Sequence, residues 1–464
     1  MTRSLTYALG VFQLYWLKIS EEVGRESIYY AKEDFMSIKK PDNTKGWYRL
    51  DNAAILYPSI QSERITTMFR FSATLYENID PQTLQTSLAK IIDRFPYYRV
   101  KLSKGLFWYY LDHNPKTPRV EKDVQYPCGR LSPISNRNFL LRVRYYNKRI
   151  AVEFCHALTD GTGAVIFLKS LVYEYLKETG KVLSDKTDIF TIDEIPDPGE
   201  FEDAYNRFYK PALPLPETGD SAYHLKGKLV KKGVYYVITG ISLLNDVINE
   251  AKKKNVSLTV FLAAIYMDSM QEIQDKYIKN PRHKKPISIS VPVNMRNIYP
   301  TKTMRNFSLF VVPKIDPRLG YYTFDEILKI VNLSMMTEIN EKSISRQLSR
   351  NVGGQRNLIV RVIPLFIKKL FTPLLYSRLG ENLYSGTISN LGKVTVPEEM
   401  MKYVERIDFV PGPGPINKTG CSVTGFGDKI YISFGRLTKV PELERAFFTR
   451  LVKMGIHVTV ESNI

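Results

Sequence analysis

The sequence predicts an α/β protein of two similar lobes, each with a mainly antiparallel or mixed sheet. Three observations lead there. Strand-like and helix-like periodicities alternate over residues 47–195, and the alternation restarts after residue 225. Between these runs, residues 196–225 carry Pro196, Pro198, Pro211, Pro214 and Pro216 with acidic side chains among them, the composition of a linker. The chain of 464 residues is too long for one ordinary domain and suits two of roughly 200 residues. The expected organisation is an N-terminal extension over 1–46, loosely ordered or partly helical, a first lobe over 47–195, a linker over 196–225 and a second lobe over 226–464. The halves share no detectable sequence repeat. Two such lobes leave a cleft between them, where small-molecule sites usually lie.

In chain order, the N-terminus imitates a signal peptide, with Arg3 followed by an apolar run over 7–17. Gln13 interrupts that run and no small-residue cleavage site follows, so the chain reads as non-exported. Regular patterning starts near Gly46, shortly after Met36; residues 1–35 therefore read as a loosely attached extension or an artefact of start-codon choice. Residues 65–76 alternate as a strand does. Asp80 and Pro81 supply a cap and an N1 proline before Leu84, Leu88, Ile91 and Ile92, and Phe95-Pro96 ends that helix. Residues 99–102 and 106–111 flank Ser103-Lys104-Gly105 as one hairpin, and 139–146 with 149–154 flank Asn147-Lys148 as a second.

The second hairpin leads into the most informative stretch. Ile150, Val152 and Phe154 alternate with Ala151 and Glu153, so a strand delivers His156 at its end. From Ala164 onward, Val165, Leu168, Leu171, Val172, Tyr175 and Leu176 recur at spacings of three and four, one face of an amphipathic helix that Gly180 stops. Asp160 or Thr162 is placed to cap it. A neutral imidazole can take a proton from a hydroxyl, amine or thiol and return it after acyl transfer, with no covalent enzyme intermediate. Asp160 has two readings: it orients the imidazole as a triad acid does, or it forms an ion pair that fixes the corner. The same residues also describe a satisfied strand-end histidine beside an ordinary cap.

In the second half, 234–238 reads as a strand, 242–254 and 258–277 as helices, and 287–293 as a buried strand running into Arg296. Residues 358–379 mix apolar side chains with Arg361, Lys368, Lys369 and Arg378, and carry Pro364 and Pro373. They read as helix packed on the core, or as a basic amphipathic element lining an acyl tunnel or touching an anionic membrane. Residues 385–392 hold Ser389, Asn390 and Gly392. A turn is the ordinary meaning of Asn with Gly; a donor to an oxyanion is the functional one. Residues 421–424 and 429–434 form a hairpin across Gly425-Phe426-Gly427-Asp428.

Cys155-His156-Ala157-Leu158-Thr159-Asp160-Gly161 resembles the HHxxxDG motif of the chloramphenicol acetyltransferase-like superfamily, with Cys155 in place of the first histidine. That superfamily holds CoA-dependent acyltransferases, alcohol acetyltransferases, wax ester synthases and the condensation domains of peptide synthetases. The stretch from Trp47 to Pro58 resembles the opening of bacterial alcohol acetyltransferase-like members, and Ile287 to Arg296 is similar to the strand and arginine of condensation domains. The resemblance spans residues 47–464 and implies two chloramphenicol acetyltransferase-like lobes with an interlobe active-site tunnel. It implies His156 as general base, Asp160 as mainly structural, and Gly161 as allowing close approach of the substrates. It also implies an Asp160–Arg296 pair across the cleft, with Ser389 and Asn390 near the tunnel. The DFGWG motif of plant acyltransferases is missing. The implied activity is transfer of an acyl group from acyl-CoA, a co-substrate rather than a permanently bound cofactor, to a small alcohol or amine. A condensation-type enzyme fed by a carrier protein and a non-catalytic relative are the alternatives.

Composition narrows the partners. With 44% hydrophobic and 24% charged residues the chain can bury substantial cores. Cys128, Cys155 and Cys421 show no paired spacing, which points to a reduced, cytoplasmic setting and to no metal site. The net charge of +19 fits an anionic partner such as CoA or a phospholipid surface, or a solvated basic surface. The basic residues are spread along the chain and form no nucleic-acid motif. The apolar run 258–267 is broken at Asp268, short of the roughly 20 residues a membrane span needs.

Overall fold

The period-2 stretches of the first half assemble into a five-stranded sheet in the computed structural model, which describes residues 46–464 except 212, 214–219 and 415. The readings of residues 1–35 lie outside the described residues. The first-half elements are β1 (Met68–Leu75), α1 (Pro81–Arg94), the hairpin β2 (Val100–Lys104) and β3 (Tyr109–His113), β4 (Val120–Lys122), β5 (Leu141–Tyr146), β6 (Arg149–Cys155) and α2 (Gly161–Glu178). Asp80 caps α1 by accepting from the Thr83 N–H, with Pro81 in its first turn. Asn147 turns the β5–β6 hairpin at φ 48°, and Gly180 follows α2 at φ 83°. The first hairpin differs from expectation: Lys104 pairs with Tyr109, so residues 105–108 make the turn.

The second half supplies β7 (Tyr236–Leu243), α3 (Leu244–Lys253), α4 (Leu258–Tyr277), β8 (Ile287–Asn294), β9 (Ser308–Val311), α5 (Phe324–Glu338), α6 (Glu341–Arg356) and α7 (Leu365–Leu379). After these come β10 (Gly386–Lys393), β11 (Val404–Val410), β12 (Thr419–Phe426), β13 (Lys429–Arg436), α8 (Glu442–Lys453) and β14 (Thr459–Ser462). An eight-stranded mixed sheet runs β9-β8-β10-β12-β13-β7-β14, with Lys314–Ile315 also paired to β8. β10 is parallel to both β8 and β12. Residues 386–392 thus lie in an internal strand rather than a turn, with Gly392 at φ 75° where the register with β12 shifts. Residues 242–254 divide differently from expectation, because β7 continues to Leu243 before α3 begins.

Sequence-distant segments interlock within the compact unit of residues 49–464. β11, from near the C-terminus, pairs antiparallel with β1 and completes the first sheet in the order β11-β1-β6-β5-β4. Its Phe409 stacks on Phe71 at 4.5 Å between ring centroids. On the helix side, Phe154 of β6 meets Tyr98 and Phe167, tying α2 to the sheet. Each such fully buried ring contributes about 1.5–3 kcal/mol of transfer free energy. The described part of 196–225 is anchored at Glu200, which accepts from both Arg94 nitrogens at 2.8 Å and from Tyr97.

Residues 358–379 form a short helix, Leu358–Val362, followed by α7. Leu365 is buried, while Phe366 (72%), Leu370 (74%) and Phe371 (48%) are exposed. Lys368 lies over the Trp108 ring and donates to the Phe107 carbonyl. No helix among the described residues is long and apolar enough to cross a membrane.

Candidate active site

β6 ends at Cys155 and delivers His156 to the corner before α2. The His156 backbone N–H donates to the Thr67 carbonyl at 2.9 Å, and its carbonyl accepts from Asn306 Nδ2 at 2.9 Å. The imidazole is sandwiched: Tyr57 stacks at 5.1 Å and 21°, and Phe69 lies 4.2 Å away. Nδ1 is buried without a hydrogen-bond partner. Burial lowers the imidazole pKa to about 4, against the opposing pull of the Asp160 charge, so the ring is neutral at pH 7.

Thr67 fixes this geometry from below. It is β-branched yet sits at φ 54°, a left-handed conformation that costs such a residue energy. Its hydroxyl accepts from Gln61 at 2.9 Å and lies 3.4 Å from the Cys155 sulfur. Cys155, where the resembled motif has a histidine, is buried, and burial raises its thiol pKa. It is packing material here rather than a nucleophile.

Asp160 caps α2: Oδ1 accepts from the Thr162 and Gly163 N–H groups at 3.1 and 3.4 Å. Oδ2 accepts from Arg296 Nη1 at 2.9 Å and from the Phe307 N–H at 2.8 Å. Those four bonds occupy the lone pairs of a carboxylate, leaving none for His156. Of the two readings of Asp160, the geometry is that of the ion pair that fixes the corner. Arg296 is held in turn by the carbonyls of Thr303 (2.9 Å) and Arg305 (2.6 Å) and by Asn294 Oδ1 (3.2 Å). The pair therefore joins the start of α2 to the end of β8.

Gly161 and Gly163 differ in what they permit. A Cβ at Gly161 would make ordinary contact with Leu391 at 3.4 Å, which places β10 beside the helix start. A Cβ at Gly163 would fall 2.3–2.4 Å from the Met304 carbonyl, Thr159 Oγ1 and Tyr98 OH, so only glycine fits there. On β10, Asn390 donates to Thr259 Oγ1 at 3.0 Å and accepts from the Gly392 N–H at 2.8 Å, tying the strand end to the start of α4. Ser389 is half-buried on the same strand.

Sequence reasoning did not single out Asp51, Asn306, Tyr57, Phe69, Thr67 or Gly163. Asp51 is fully buried; its Oδ1 accepts from the Ala54 N–H at 2.8 Å. Asn306 Nδ2, the donor to His156, reaches Asp51 Oδ2 at 3.1 Å, and Arg305 Nε stands 3.7 Å from that oxygen. Burial raises the Asp51 pKa to about 6 despite Arg305. The place of Asp51 at the far wall of the His156 corner had no local signal, since Asn306 lies 255 residues away.

No family model matches the chain, and no curated protein matches it in sequence. Solved structures do match in fold. F. graminearum TRI101, complexed with coenzyme A and deoxynivalenol, superposes with a TM-score of 0.57 at 12% identity over 89% of this chain and 99% of that one. Polyketide synthase associated protein 5 from Mycobacterium tuberculosis gives 0.54 at 12% over 88% and 97%. The condensation domain of the monacolin K polyketide synthase MokA gives 0.53 at 12% over 88% and 96%. The chain has the two-lobed, chloramphenicol acetyltransferase-like fold that condensation domains and trichothecene acetyltransferases share.

Proposed function

We propose that the chain is an acyltransferase that moves an acyl group from acyl-CoA to an alcohol or amine, with His156 as general base. One observation carries this reading: an imidazole kept neutral by burial, one ring nitrogen unpartnered, is fixed by backbone bonds from both halves at a corner locked by Asp160 and Arg296. The fold neighbours crystallised with coenzyme A support acyl-CoA as the co-substrate.

The chemistry needs no other titrating group. The acceptor O–H or N–H gives its proton to the neutral His156 while its oxygen or nitrogen attacks the thioester carbonyl carbon. The oxyanion that forms needs a donor; this reading gives the role to the Ser389 hydroxyl on β10, since the Asn390 amide is engaged with Thr259 and Gly392. Collapse breaks the C–S bond, and the thiolate recovers the proton from the imidazolium. Asp160 acts by position, holding the corner. The rings of Phe69 and Tyr57 against the imidazole favour its uncharged form.

The test is release of free thiol from a panel of acyl-CoAs with alcohol and amine acceptors. His156→Ala should fold normally and lose about 10²–10⁴ of the turnover. Thiol release unchanged in that variant removes the base assignment. Turnover only with an acyl carrier protein as donor selects a condensation-type enzyme, an alternative that the condensation-domain neighbours favour. No turnover with either donor leaves a non-catalytic relative. Peripheral contact with an anionic membrane rests on Phe366, Leu370 and Phe371, exposed beside Lys368 and Lys369 on α7. Co-sedimentation with anionic vesicles, lost in Phe366→Ser, is its expected signature.

A further inference from the structure

The face of the first sheet opposite His156 carries a second polar centre that the acyl-transfer reading does not use. Arg70, Glu153 and Arg142 stand side by side on β1, β6 and β5. Together with Asp123 and Arg144 they form a buried cluster of three guanidinium groups and two carboxylates, none more than 7% exposed. The carboxylates are saturated. Glu153 Oε1 accepts from Arg70 Nε at 2.7 Å and the Cys128 N–H at 2.9 Å, and Oε2 from Arg142 Nε at 2.6 Å. Asp123 takes both Arg70 nitrogens at 2.7 and 2.8 Å and Arg149 at 2.9 Å. Although burial opposes it, the three arginines hold the Glu153 pKa at about 2, so the carboxylate stays charged.

Arg144 is the cation left over. It is 2% exposed, yet its closest contacts are Gln125 at 3.3 Å, Asp123 at 3.5 Å and Glu121 at 3.8 Å, and Nε makes no hydrogen bond. Both of its acceptors are long and its buried Nε has none, so Arg144 keeps donor capacity for a further anion. Beside it opens a cavity of about 330 Å³ lined by Arg130, Arg142, Arg144, Ser132, Ser135 and Asn136, with Gln125 and Glu121. Its size suits a small ligand rather than a single water. Arg142 is engaged by Glu153 and the Gly129 carbonyl, which leaves Arg130, Arg144 and the two serine hydroxyls as the donor set for a tetrahedral oxyanion, since guanidinium forks match phosphate oxygens in pairs.

We propose that this pocket binds a phosphate-bearing anion, inorganic phosphate or a small phosphomonoester, with the buried Arg144 and the exposed Arg130 as its cationic contacts. The proposal is independent of the acyl-transfer reading. Inorganic phosphate and adenosine 5′-monophosphate are titrated calorimetrically into the full chain at constant ionic strength, with chloride as control. Saturable one-site binding of phosphate is expected, about tenfold weaker in Arg130→Gln and in Arg144→Gln. Arg130 is exposed, so its substitution leaves the fold intact. Binding of both probes marks a phosphomonoester site; binding of phosphate alone marks a free-anion site. No saturable heat with either probe, or equal affinity in wild type and both variants, overturns the proposal.

Discussion

Asp160 and Asp51 are both buried carboxylates of the first half, and both face arginines from one short stretch of the second, Arg296 and Arg305. Their environments part at the donors. Asp160 receives four hydrogen bonds, two of them from Arg296 and Phe307 at 2.8–2.9 Å. Asp51 has its arginine at 3.7 Å and relies on Asn306 and the Ala54 N–H, so burial wins and its pKa rises to about 6. The lesson is that an arginine nearby does not by itself offset the burial of a carboxylate: at Asp51 desolvation outweighs a guanidinium 3.7 Å away.

Breaking the well-paired side should give the largest effect. Asp160→Asn, with its oxygen kept on the α2 cap, puts an NH2 donor against the Arg296 and Phe307 donors and leaves a guanidinium that is only 12% exposed without its carboxylate; a loss of about 3–5 kcal/mol in denaturant unfolding is expected, together with loss of activity. Normal stability in this variant would mean that Arg296 is served by its backbone carbonyls alone.

The pH dependence of stability sharpens the contrast. The His156 pKa is lowered in the fold to about 4 from 6.5, so its contribution, about 3 kcal/mol, is fully present above pH 6.5 and is lost as pH falls toward 4. Asp51 works the other way: with its pKa raised from 3.8 to about 6, its contribution is present below pH 3.8 and is lost as pH rises through 6. Thermal melts across pH 4–7 should therefore show a shallower acid loss in His156→Ala and a steeper one in Asp51→Asn. Parallel curves for all three proteins would contradict the opposed signs. In kinetics the same lowered histidine pKa puts the acid limb of kcat/KM near pH 4 rather than 6.5. At pH 7, Asp51→Asn should cost under about 2 kcal/mol, the smallest change, because an amide keeps the hydrogen bond to Ala54 and sheds a poorly compensated charge.

Much of the frame was legible. Asp80-Pro81, Asn147 and Gly180 mark element ends by rules of the local backbone, and α4 spans the expected 258–277. The resemblance to a known motif placed His156, Asp160 and Arg296, and those three lie at one corner of the fold. Cap geometry settled which of Asp160 and Thr162 closes α2. What escaped was the rest of the corner. The tight contacts at Gly163 had no local signal, because Met304 and Tyr98 reach it from distant segments. The bond by which Asn390 joins a strand end to α4 likewise spans 131 residues and had no local signal.

The sequence by itself determined the first-half strands and helices, the α1 cap, the α4 span and the delivery of an imidazole to a strand end, because those depend on side-chain periodicity and on hydrogen bonds within a few residues. The tertiary structure alone decided that β11 completes the first sheet, that Asp160 is saturated while Asp51 is not, and that His156 is neutral between Tyr57 and Phe69. Burial and donor geometry set those properties, and both come into being only when segments 100 to 300 residues apart close on one another.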